Sequence, residues 1–100
     1  MVKKIVWSSK AQNDRKEILQ YWINRNASPT YSKKLNSLFI EAVNLISKFP
    51  KIGKQSGYKE TRIKVVRDYL VVYKESDTQI SIIAIWDGRQ DPLKLKTILK

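Results

Sequence analysis

The chain has 100 residues, 42% of them hydrophobic, with 20 basic and 9 acidic side chains for a net charge of +11. That size holds one domain with a single two-layer core, and the apolar content is too high for a disordered chain. The sequence contains no cysteine and no histidine, which excludes disulfides, thiol chemistry, imidazole acid–base catalysis and the commonest metal ligand.

Residues 3–8 alternate as a first strand, with Ile5 and Trp7 on one face and Val6 on the other. This start is too short for a signal peptide, and no run approaches the roughly 18 apolar residues of a membrane span, so a soluble cytoplasmic protein is expected. Ser9 reads as an N-cap, with Gln12 three residues on completing a capping box. A helix follows to about Arg25, with Ala11, Ile18, Leu19 and Trp22 on one stripe and Asp14 and Glu17 near its positive end. The stretch Asn24 to Ser28 breaks it. Ser28-Pro29 then starts a second helix, a cap followed by proline at the first helical position.

Tyr31, Leu35, Leu38, Phe39, Ala42, Leu45, Ile46 and Phe49 recur at the helical period and predict a long second helix with a core-facing stripe, ended by Pro50 and Gly53. Two helices with so short a break form a hairpin. Residues 50–60 read as a loop rich in Lys and Gly. Residues 62–67 and 69–74 read as strands joined tightly near Asp68, and Thr78 to Trp86 as a longer one. Ile80, Ile82, Ile83, Ala84 and Ile85 make that last strand apolar on both faces, as in a central strand. Asp91-Pro92 opens a short C-terminal segment. The order β-α-α-β-β-β predicts an α+β fold over residues 1–100, a helical hairpin on one face of a mostly antiparallel four-stranded sheet.

Charge is concentrated after the second helix: Lys48, Lys51, Lys54, Lys59, Arg62, Lys64 and Arg67 are opposed only by Glu60. Such clustering points to a polyanionic or acidic partner. Period two puts Ile63, Val65 and Arg67 on one face of their strand and Arg62, Lys64 and Val66 on the other. With Ile63 and Val65 taken as the core face, Arg62 and Lys64 fall on the face without helices, and a loop after the last strand brings Arg89 toward them. Lys54, Lys59, Arg62, Lys64 and Arg89 are therefore the candidate anion-binding residues, and Arg62, Lys64 and Arg89 the candidate catalytic ones if the chain cleaves RNA. The competing readings are a solvated strand face for Arg62 and Lys64, and an ion pair from Arg89 to Asp87 or Asp91 that shapes the turn. Tyr58, Tyr69 and Tyr73 are either stacking platforms for bases or ordinary strand tyrosines. No phosphate-binding glycine loop, zinc spacing or Ser/His/Asp set occurs, so no metal and no cofactor is expected, and an RNA-cleaving site would need lysine or tyrosine as its base.

The element order, the capped start near Ser9, the Phe49-Pro50 helix end, the Arg62 strand, the segment Tyr69-Leu70-Val71-Val72-Tyr73 and the Ile-rich strand ending in Asp87-Gly88-Arg89 together resemble the RelE/ParE superfamily. These are toxins of type II toxin–antitoxin modules, also described as plasmid stabilisation proteins. The resemblance implies an acidic antitoxin as partner and one of two targets: ribosome-bound messenger RNA, which the RelE branch cuts, or DNA gyrase, which the ParE branch poisons. Arg62 and Lys64 match the two basic residues of the RelE branch's second strand, and Arg89 matches its arginine after the last strand. That branch also has an arginine in the third-strand segment, where this chain has Leu70, and a tyrosine or histidine near the C-terminus. The tail from Leu93 to Lys100 has neither. The departures favour the ParE branch and a gyrase poison. A messenger RNA endonuclease and a non-toxic basic binding module remain the alternatives.

Overall fold

The computed structural model of the chain describes residues 2–57 and 60–90. Within them the elements are β1 (Lys4–Trp7), α1 (Ser9–Asn26), α2 (Thr30–Lys48), β2 (Lys54–Gln55), β3 (Thr61–Val66), β4 (Tyr69–Glu75) and β5 (Gln79–Asp87). The strands form one sheet in the order β1-β5-β4-β3-β2, with β1 parallel to β5 and every other pair antiparallel. The α+β class and the mostly antiparallel sheet are as expected. The described sheet has five strands rather than four, because Lys54 and Gln55 in the Lys/Gly loop pair with Ile63 and Arg62. A two-residue strand has no period to read.

The helix cap is Ser8, not Ser9. The Ser8 amide still belongs to the sheet, donating to the Ile82 carbonyl at 2.9 Å, while its hydroxyl accepts the Ala11 amide at 2.9 Å. The residue three after Ser8 is Ala11, so no capping box forms. α1 ends with the Ala27 and Ser28 amides converging on the Ile23 carbonyl, which places Ala27 in the left-handed region at φ 49°. Pro29 is itself the N-cap of α2 rather than its first residue, and the Ser28 hydroxyl takes the Thr30 amide at 3.3 Å.

α2 is held by its inward side chains. Leu35, Phe39 and Ile46 are fully buried, each contributing about 1.5–3 kcal/mol, against a few tenths for helix propensity. They pack with Val71, Tyr73, Ile80 and Ile82 of the sheet. The stripe is narrower at its end than its period implied: Leu45 is 37% and Phe49 60% exposed, and Val43 is buried instead.

A bulge sits in β5. Tyr73 pairs with Ile82 and Val72 with Ala84, leaving Ile83 as the extra residue. Ile80 and Ile82 before it, and Ile85 after it, join the helix-side core, whereas Ile83, Ala84 and Trp86 join a second apolar cluster with Val72, Ile63 and Leu70. α1 satisfies the main chain here: the Ser8 hydroxyl donates to the Ile83 carbonyl at 2.8 Å, and the Asp14 carboxylate accepts the Ile85 amide at 3.1 Å. Asp14 thus acts on the sheet, not on its own helix's dipole.

The second cluster reverses the expected faces of β3. Ile63 packs with Val72, Ala84 and Trp86 away from the helices, and only Val66 reaches the helix-side core. Arg62 and Lys64 share the face of Val66. Arg67 is not on a core face; it is exposed in the β3–β4 turn at φ 57°.

Candidate functional site

The predicted cations fall into separate places. Arg62 lies opposite Tyr73 on β4 and turns back onto the loop after α2, donating to the Gly53 carbonyl at 2.8 Å and the Lys51 carbonyl at 3.3 Å. The buried Tyr73 hydroxyl sits at the centre of the same loop: it accepts the Gly53 amide at 2.8 Å and donates to the Pro50 carbonyl at 2.7 Å. A Cβ on residue 53 would stand 2.5 Å from that oxygen, so the loop needs glycine there. Burial pushes the Tyr73 phenol above its ordinary range, and it stays neutral at physiological pH.

Lys64 lies two residues along, where a groove of ≈ 270 Å³ runs between α2 and the outer edge of β3. Its walls include Leu38, Ala42, Leu45, Val66, Arg67 and one acid, Glu41. Val65 is 58% exposed: it shares the helix-free face of Ile63 and lies beyond the Ile63 and Arg62 pairs at which β2 stops. Lys54 is exposed on β2. Lys59 and Tyr58 lie outside the described residues, as do the tail from Leu93 to Lys100 and Asp91.

Arg89 is clasped by Asp87. Its Nε and Nη2 donate to the two carboxylate oxygens at 3.0 and 2.9 Å, and its backbone amide adds a third bond at 2.9 Å. The Arg89 guanidinium holds the Asp87 carboxyl below the usual carboxylate range, and the carboxylate in turn raises Arg89. The ion-pair reading of Arg89 is the one the geometry matches. Beside the clasp, Glu17, Ile18, Tyr21, Tyr69 and Gln90 line a depression of ≈ 300 Å³. The Tyr69 hydroxyl there accepts the Trp22 indole N–H at 2.8 Å, and burial raises its pKa. Tyr69 and Tyr73 are both buried in the core, so neither is a stacking platform.

Arg62 and Arg89 do not converge. Arg62 faces Tyr73, whereas Asp87, the partner of Arg89, faces Tyr69, four residues and roughly 13 Å along β4. Leu70 packs in the helix-free cluster. Among the described residues no group of three or more acidic side chains is placed to hold a metal ion. One functional candidate leaves no signal in the sequence. The Arg15 guanidinium stacks over the Trp7 ring, 4.5 Å from its centroid. The two residues belong to different elements, and no period links them.

A family model described as ParE toxin of type II toxin-antitoxin system, parDE, matches residues 5–92. Among solved structures, a chain of the chromosomal ParDE TA system from P. aeruginosa shares the fold, with a TM-score of 0.75 and 17% identity over 86% of this chain and 96% of that one. YafQ from E. coli strain BL21(DE3) aligns at a TM-score of 0.44 and 20% identity, over 85% of this chain and 92% of that one. No curated protein matches the chain.

Proposed function

The chain belongs to the ParE toxin family of type II toxin–antitoxin systems, and from that premise we propose that it arrests growth by poisoning DNA gyrase and does not cut messenger RNA. As the toxin of such a module it has a cognate antitoxin; we take that partner to be acidic, matching the net charge of +11. The observation that supports the gyrase reading is the engagement of Arg62 and Arg89. The first is bonded to the Gly53 and Lys51 carbonyls and the second to the Asp87 carboxylate, at opposite ends of β4. An RNA-cleaving site needs cations aimed jointly at one phosphate as charge develops on it. It also needs a base, and the two tyrosines beside these arginines are pushed toward the neutral form. No described helix is long and apolar enough to cross a membrane, and we place the action in the cytoplasm, where gyrase works.

Expression without the antitoxin tests this. Gyrase-linked DNA breaks with intact transcripts are expected. Transcripts cut at ribosomes, with intact DNA, would establish the endonuclease reading, and normal growth with neither lesion would leave a basic binding module.

A further inference from the structure

The Trp7–Arg15 stack forms one wall of a groove of ≈ 640 Å³ between β1, α1 and α2, away from both Arg62 and Arg89. Lys16 and Leu19 of α1 and Asn36 of α2 also line it, and none of its lining side chains is acidic. Arg15 makes no ion pair among the described residues. The α1 carboxylates are engaged elsewhere: Asp14 pairs with Lys10 and the Ile85 amide, and Glu17 takes the Asn13 side-chain amide. The Asn36 side-chain oxygen is buried with no hydrogen-bond partner. One need is thus left open in the groove, an anion for a guanidinium stacked on an aromatic ring; the Asn36 oxygen is enclosed and out of reach of an incoming donor.

We propose that this groove binds an acidic segment of a protein partner, with a carboxylate on Arg15 and an apolar side chain against Trp7 and Leu19. Stacking on Trp7 leaves the N–H edge of Arg15 as a planar fork, the geometry that a single carboxylate fills in two bonds. A nucleic-acid strand would need a row of cations along its phosphates. Arg15 and Lys16 are adjacent on a helix, about 100° apart around its axis, and do not form a row. Trp7 and Leu19 supply apolar walls for a neighbouring aliphatic side chain, and a Trp–Arg pair is the composition that dominates protein–protein contacts. The site is independent of whether gyrase is the target, and its test contains no gyrase.

The isotope-labelled full chain is titrated, followed by NMR, with an acetylated peptide of alternating glutamate and leucine, and separately with a short DNA duplex. The peptide is expected to move the Trp7 indole, Arg15 Nε and Asn36 amide resonances more than those at Lys64 or Arg67. Arg15→Ala should bind it roughly thirtyfold more weakly, while the lost cation–π contact lowers the melting temperature by only about 2–8 °C. Arg15→Lys, which keeps the charge but not the fork, should recover little of this. Peptide shifts confined to Lys64 and Arg67, no shifts at all, wild-type binding by Arg15→Ala, or a preference of these three residues for the duplex would each overturn the proposal.

Discussion

Replacing Arg62 with alanine separates a structural arginine from a target-reading one. The side chain makes two bonds to the loop after α2: a partly buried one of 2.8 Å to the Gly53 carbonyl and an exposed one of 3.3 Å to the Lys51 carbonyl. A hydrogen bond from a charged donor is worth about 1.5–3 kcal/mol, and the longer, solvated one adds a few tenths at most. The loop also holds the Gly53–Tyr73 contact, so loosening it removes support from a buried hydroxyl. Arg62→Ala should therefore destabilise the domain by roughly 2–3 kcal/mol. At about 4–8 °C per kcal/mol for a domain of this size, the melting temperature should fall by roughly 8–24 °C. Circular dichroism melts at fixed ionic strength measure this, and growth arrest is assayed well below the melt. Growth arrest should persist there, because the guanidinium already faces loop carbonyls. A melt within about 2 °C of wild type together with lost growth arrest would refute the reasoning and make Arg62 a contact for the target.

Three further substitutions probe the same framework. Gly53→Ala drives a Cβ to 2.5 Å from the Tyr73 hydroxyl and 2.7 Å from its ring, and should cost about 1–3 kcal/mol in urea unfolding; an unchanged midpoint would show that the ring yields freely. Asp14→Ala orphans the Ile85 amide beside the bulge, at a cost of about 1–3 kcal/mol, and should speed hydrogen exchange at Ile85 more than at Val71; equal protection at both would mean the carboxylate is dispensable. Asp87 has its pKa lowered in the folded state by Arg89, so its clasp stabilises the fold above the ordinary aspartate range, near pH 4, and is lost as pH falls through the folded value. Carboxyl NMR titration should find Asp87 below that range in the wild type and back toward it in Arg89→Ala; no difference between the two would remove the ion pair as its cause.

What was legible in the sequence divides by the range of the interaction that decides it. The α2 stripe was readable because Leu35, Phe39 and Ile46 meet the sheet at the helix's own period, a local property. The facing of β3 was not, because it depends on a second apolar cluster, Val72, Ala84 and Trp86, whose members come from two other strands. The double-sided apolarity of β5 correctly marked a central strand, yet part of it reflects the extra residue Ile83, which exchanges the faces of everything after it. The Ser8 cap was one residue off because β5, far along the chain, holds the Ser8 amide.

The candidate site follows the same division. Arg89 and Asp87 are two residues apart, and their ion pair was among the sequence's own alternatives. The carbonyls that hold Arg62 belong to Lys51 and Gly53, and a main-chain acceptor in a loop leaves no mark in a sequence. Counting cations therefore locates charge without saying which of it is available. The clustered basic segment contains an arginine already bonded within the fold, whereas Arg15, in the less basic part of the chain, is the described arginine held rigid by an aromatic ring with no anion against it. Rigidity together with an unmet partner, rather than local charge density, is what separates a recognition residue from a solvated one.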